Sequence, residues 1–108
     1  MVRVKINVPD RKLEKILSSE KNIKKAYNTI SQRLMMRINT LDVVDNLSMV
    51  PVDKPERCHL LEGKYAGCYA VCIDAKWRII IKPVGHKMPY DKSIIKEIDI
   101  IEITDYHN

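Results

Sequence analysis

With 108 residues the chain has room for one domain and one core, over 1–108, and not for a second core or a large insertion. Apolar residues make up 45% of it in short periodic runs, enough for a core and far short of the ~20 consecutive residues that span a bilayer. The net charge of +5 is uneven: residues 94–108 sum to −3, leaving +8 on residues 1–93, an excess that favours a polyanionic partner through counterion release.

Val2, Val4 and Ile6 alternate with Arg3 and Lys5, which predicts a short strand buried on one face. Such alternation is not the apolar block of a secretory leader, so the cytoplasm is the expected compartment. Pro9-Asp10 ends the strand, and Asp10 is a good helix N-cap at the positive end of the dipole. Leu13, Ile16 and Leu17 give that first helix one apolar stripe, ending near Ser18-Ser19.

Ile23, Ala26, Tyr27, Ile30, Leu34, Ile38 and Leu41 then recur at steps of three and four, predicting one long helix over 19–40. Lys21, Lys24, Lys25, Arg33 and Arg37 fall largely off the stripe and make the exposed side basic; Met35 and Met36 are assigned to the core or its edge. Residues 42–47 fit one short helical turn, and Pro51 and Pro55 mark a linker.

From Glu56 onward the period switches to two. Segments 57–62, 68–73, 77–82 and 94–104 read as strands, the first three joined closely enough to form an antiparallel meander. The connector 83–93, with Pro83, Gly85 and Pro89, is expected to be mobile, and the isoleucine-rich last strand to be buried on both faces or bent by a bulge. The expected fold is α+β: an N-terminal strand and two helices packed on one face of a twisted, mainly antiparallel sheet.

Within the second half, strand parity puts Arg57, His59 and Leu61 on one side, and Arg78 on the side opposite Trp77, Ile79 and Ile81. Arg57, His59 and Arg78 can therefore converge, with His107 at the strand end joining them. Two histidines and two arginines suffice for metal-free RNA cleavage: one group takes the 2′-OH proton, another protonates the leaving 5′-oxygen, and guanidinium groups stabilise the phosphorane. Tyr106 could stack on a base. Read singly, each of these residues also has an ordinary structural role: His59 as a surface histidine, Trp77 as core, Asp105 as an ion-pair partner, Tyr106 as a cap on the core.

Three cysteines, Cys58, Cys68 and Cys72, leave one unpaired under any disulfide scheme, which fits free thiols in a reducing compartment. There is no C-x2-C pair, and no metal or cofactor is expected. With three glycines in all, a nucleophile elbow or a phosphate-binding glycine loop is excluded.

Arg57-x-His59-x-Leu61-x-Gly63, Gly67, Trp77-Arg78-Ile79-Ile80 and the closing Asp105-Tyr106-His107 together resemble the HigB-like toxins of the RelE/ParE superfamily, over about residues 55–107. The resemblance implies a microbial-ribonuclease-like α+β fold and the toxin half of a type II toxin–antitoxin pair. It implies a ribosome-dependent endoribonuclease that cuts mRNA in the A site, is neutralised by a helix-turn-helix antitoxin (HigA-like), and meets operator DNA only through that antitoxin. It makes His59 and His107 the acid/base pair, Arg78 the transition-state stabiliser, and Asp105 and Tyr106 their companions. Arg57 would contact phosphate, with Lys64 and Lys76 as further RNA-binding cations. Glu62 departs from the Lys that many relatives carry there, and the connector 83–93 is longer than in the shortest members. Two other readings follow from the same fold: a ParE-like inhibitor of DNA gyrase, which needs no proton-transfer pair, and an inactive homologue serving as antitoxin-binding corepressor.

Overall fold

The computed structural model describes residues 3–105. Five strands form one mixed sheet in the order β1-β5-β4-β3-β2. They are β1 (Lys5–Asn7), β2 (His59–Leu60), β3 (Tyr69–Cys72), β4 (Arg78–Pro83) and β5 (Glu97–Thr104). β1 pairs parallel with β5, and the other three pairings are antiparallel, so the expected α+β architecture with a mainly antiparallel sheet is what the chain forms.

Helix α1 (Arg11–Leu17) is capped by Asp10, whose carboxylate accepts from the Leu13 N–H at 3.0 Å. Helix α2 (Glu20–Tyr27) is capped in the same way by Ser19, which accepts from Asn22 N at 3.1 Å. The long helix expected over 19–40 is two helices. α2 stops at Asn28, which has φ +46°, and a 3-10 turn at Asn28–Ile30 leads into α3 (Ser31–Val43). A 3-10 turn advances three residues per turn, so the apolar steps run through the break without revealing it. Asn28 holds a conformation that glycine adopts at little cost. Asn28→Gly is expected to raise stability by about 0.5–1 kcal/mol, read as a higher urea midpoint at unchanged m-value.

The helices cover one face of the sheet. Leu34, Leu41 and Ile23 pack there against Tyr69, Val71, Ile79, Ile81, Ile98 and Ile100. Four of those isoleucines are no more than 1% exposed, and burial of each contributes about 1.5–3 kcal/mol. The opposite face carries a smaller cluster, Leu61, Tyr65, Cys68, Ala70 and Ile80, covered by the segment that links β2 to β3. Ile80 is thus buried on the face opposite Ile79 and Ile81, which accounts for the unbroken isoleucine run of β4. In β5 the register slips: Ile80 faces Glu102 while Ile81 faces Ile100, so Ile101 is bulged out and 38% exposed.

Three sequence expectations change locally. The strand expected over 57–62 is only His59–Leu60, because Arg57 takes φ +44° and leaves the extended conformation. The turn expected over 42–47 is absorbed into α3 as far as Val43 and otherwise moves to a 3-10 turn at Leu47–Met49. The connector 83–93 is tied down: Val84 N donates to Glu97 O at 3.0 Å, and the Tyr90 hydroxyl donates to Gly67 O at 2.8 Å while its ring lies 5.8 Å from that of Tyr69. Met35 packs at the core edge, whereas Met36 is exposed. No helix among the described residues is long and apolar enough to cross a membrane.

Candidate active site

β3 and β4 meet in a tight turn organised by Asp74. Its carboxylate accepts from Lys76 N at 2.8 Å and from Trp77 N at 2.7 Å. These bonds, with the positive charge of Arg33 and Arg78, hold the Asp74 carboxyl below its usual value, the Trp77 bond contributing most. A carboxylate with a lowered folded-state pKa stabilises the protein at neutral pH, and that contribution is lost as the pH falls through the acid range below about pH 4. Asp74→Asn is therefore expected to reduce stability at pH 7 and to flatten the acid limb of the stability profile, measured by urea unfolding between about pH 2 and 5.

The turn forms one wall of a cleft of about 480 Å³. The other walls are α3, through Arg33 and Arg37, and the linker before β2, through Lys54, Pro55 and Arg57. Arg78, Cys72, Ile73 and Ala75 complete it. Asp74 is the carboxylate among five lining cations, Arg33, Arg37, Lys54, Arg57 and Arg78. Among the described residues the ion pairs are Arg3–Asp42 and Lys24–Glu20, both elsewhere, so the cleft keeps a net positive charge.

The positive φ of Arg57 follows from two turns of the linker: Arg57 N donates to Asp53 O at 2.9 Å, and Cys58 N to Pro51 O at 3.0 Å. This geometry buries Cys58 while Arg57 stays exposed at the cleft. Burial pushes the Cys58 thiol up to about 11, against an opposing effect of Lys92, so it is no nucleophile. Two residues on from Arg57, the His59 ring places Nδ1 2.6 Å from Arg57 O. A carbonyl only accepts, so Nδ1 carries the hydrogen, and in the neutral ring Nε2 is the atom with the free lone pair.

Arg78 lies on the face away from the helices, opposite Cys72 on β3 and Thr104 on β5. Its Nη1 donates to Asp74 O at 3.0 Å and Trp77 O at 3.1 Å, and its Nη2 reaches Ala75 O at 3.5 Å. The guanidinium is thereby held on the carbonyls of its own turn. His59 shares its face, since it pairs with Ala70, two residues before Cys72. Sheet spacing puts the Cα atoms of His59 and Arg78 about 12 Å apart, a gap that a phosphodiester and two long side chains fill.

Of the residues singled out in the sequence, Arg57 and Arg78 line the cleft together, and His59 is joined to it through the Arg57 carbonyl. Asp105 is exposed and follows Thr104, the β5 partner of Arg78. Tyr106 and His107 lie outside the described residues. Lys76 is exposed in the β3–β4 turn beside the cleft without lining it. Lys64 stands apart, exposed in the 3-10 turn Gly63–Tyr65 with its Nζ 5.4 Å from the Tyr65 ring centre. Glu62 precedes that turn and is also exposed, while the Tyr65 hydroxyl donates to Glu102 at 2.5 Å. Trp77 is half-buried, edge-on to Tyr27 at 6.3 Å.

Of the other cleft cations, Arg33 and Arg37 enter the sequence reading only as part of the basic helix side, and Lys54 not at all. The pattern assigns Arg37 to the exposed basic side of the helix, yet it is only 7% exposed. A signal for this exists in the spacing: position 37 is three after Leu34 and four before Leu41, which puts it on the buried stripe of α3.

The fold has a solved counterpart. A chain of the YoeB-YefM complex from Staphylococcus aureus superposes with a TM-score of 0.55, covering 99% of this chain and 100% of that one at 12% identity. The two chains share one fold. No family model and no curated protein matches the sequence.

Proposed function

We propose that this protein is the toxin of a type II toxin–antitoxin pair and acts as a ribosome-dependent endoribonuclease on mRNA. The observation that carries this reading is a cleft lined by five cations, one of which, Arg57, holds the His59 ring through its backbone carbonyl. The fold shared with a chain of the YoeB-YefM complex supports both the toxin class and an antitoxin partner. The resemblance of the second half to HigB-like toxins supports a helix-turn-helix antitoxin of the HigA kind, with operator DNA reached only through it.

The chemistry of this reading joins the placement of His59 and Arg78 to the roles that the resemblance implies for Asp105, Tyr106 and His107. With Nδ1–H on the Arg57 carbonyl, His59 Nε2 accepts the proton of the ribose 2′-OH. The 2′-oxygen then forms a bond to phosphorus, the bond to the 5′-oxygen breaks, and that oxygen takes a proton from His107. The products are a 2′,3′-cyclic phosphate and a free 5′-hydroxyl. Arg78, pinned by its turn, offers guanidinium charge to the phosphorane without moving at the moment of reaction, and the exposed Arg57 adds charge from the cleft wall. Asp105 and Tyr106 orient His107 or the base. Lys76 beside the cleft and Lys64 apart from it, both exposed, are the further RNA-binding cations of this reading.

The test is primer extension on a reporter mRNA after brief induction of the protein, with the message translated or held untranslated. Discrete cuts within the translated frame, absent from the untranslated message, are the expected result. Growth arrest without cuts would replace the nuclease by a gyrase inhibitor, and neither effect would leave an antitoxin-binding module.

A further inference from the structure

Arg37 is a buried cation without a counter-charge. It is 7% exposed, no carboxylate of the described residues lies within ion-pair distance, and its hydrogen bond is from Nε to Cys72 O at 2.9 Å. A guanidinium removed from water is destabilising unless an anion or a set of acceptors compensates it. No fully buried side-chain nitrogen or oxygen of the described residues lacks a partner, so Nη1 and Nη2 of Arg37 are not sealed in. They open onto the cleft that Arg37 lines, where Arg33 and Lys54 stand exposed.

We propose that Arg37, Arg33 and Lys54 bind a phosphate of single-stranded RNA next to the phosphate that is cut, an inference that rests on the ribonuclease reading. The placement is set by the sheet. Arg37 is bonded to the carbonyl of Cys72, and Cys72 is the register partner of Arg78, so the two guanidinium groups belong to one groove. Arg78 and His59 lie on the face of the sheet away from the helices, and Arg37 reaches the groove that Arg78 lines from the helix layer. A cleft of about 480 Å³ is larger than one phosphate needs, and the exposed Pro55 and Ala75 give it apolar wall against which a base can rest. The fixed fork of Arg37, oriented by its Nε bond, suits a phosphodiester bidentately, while Arg33 and Lys54 add charge from the rim.

The experiment is fluorescence anisotropy with a labelled hexanucleotide RNA, methylated at every 2′-oxygen so that it cannot be cut and carrying no terminal phosphate. Affinity is measured against salt for the full chain, for Arg33→Gln/Lys54→Gln and for Arg37→Lys. Both variants are expected to bind at least tenfold more weakly. The slope of log affinity against log salt should fall by about 0.7 for each phosphate that is no longer neutralised. The urea midpoint is read alongside. Since Arg33 and Lys54 are exposed, their double variant decides the matter even where Arg37→Lys is poorly folded.

Unchanged affinity and slope in the double variant would overturn the subsite. So would inorganic phosphate or a nucleoside monophosphate binding as tightly as the hexanucleotide, which would make this a site for free phosphate. Failure of the ribonuclease reading looks different: translated mRNA stays whole while the uncleavable RNA still binds with the wild-type slope.

Discussion

Alanine at position 59 is expected to slow cleavage of ribosome-bound mRNA about 10²–10⁴-fold, the usual contribution of one positioned proton-transfer group. The native fold should remain. His59 sits on the two-residue edge strand β2, only partly buried, and its replacement removes one hydrogen bond to Arg57 O, a cost of about 0.5–1.5 kcal/mol. The measurement is single-turnover cleavage in a reconstituted translation complex at saturating protein, with the urea midpoint as control. His107→Ala is expected to fall as far, and the double variant little further, because a base and an acid acting in one displacement fail as a unit. Cleavage by folded His59→Ala within a few-fold of wild type would remove His59 from the chemistry.

Part of this site is legible in the sequence and part is hidden. Strand parity places Arg78 on the face opposite Ile79 and Ile81, and the register agrees, because alternation is a property of any extended chain. The cap at Asp10 shows the same legibility, a short polar side chain ahead of an apolar period. Parity fails at Arg57. Its positive φ is imposed by the hydrogen bonds of the linker to Asp53 and Pro51, and nothing in a strand-like pattern announces a left-handed arginine.

Arg33 and Arg37 are hidden for a different reason. A helical period says which residues share a face, but it does not say what that face meets, and α3 meets the β3–β4 turn only through the tertiary fold. Arg37 on the apolar stripe looks like a conflict between charge and burial. It becomes intelligible once the Cys72 carbonyl and the cleft are in place. The connector 83–93 misleads in the opposite sense: its glycine and prolines suggest mobility, while Tyr90 carries both a ring for Tyr69 and a hydroxyl for Gly67 O.

The second large effect is expected at Arg78, where lysine should rescue almost nothing. Arg78→Ala is expected to cost about 10²–10³-fold in the cleavage step, the effect associated with removing one preorganised donor to a developing oxyanion. Lysine retains the charge, so a purely electrostatic role would restore most of the rate. The geometry argues otherwise. Arg78 spends Nη1 on the carbonyls of Asp74 and Trp77 and reaches Ala75 O with Nη2, and its planar group still has N–H bonds to offer a phosphate. An ammonium has three donors on one atom and cannot hold the turn and the phosphate at once. Arg78→Lys should therefore stay within about tenfold of Arg78→Ala in single-turnover rate, while binding uncleavable RNA more tightly than Arg78→Ala because its charge remains. A lysine variant that cleaves within a few-fold of wild type would show that position 78 supplies charge alone and that its bonds to the three carbonyls serve the turn rather than the transition state.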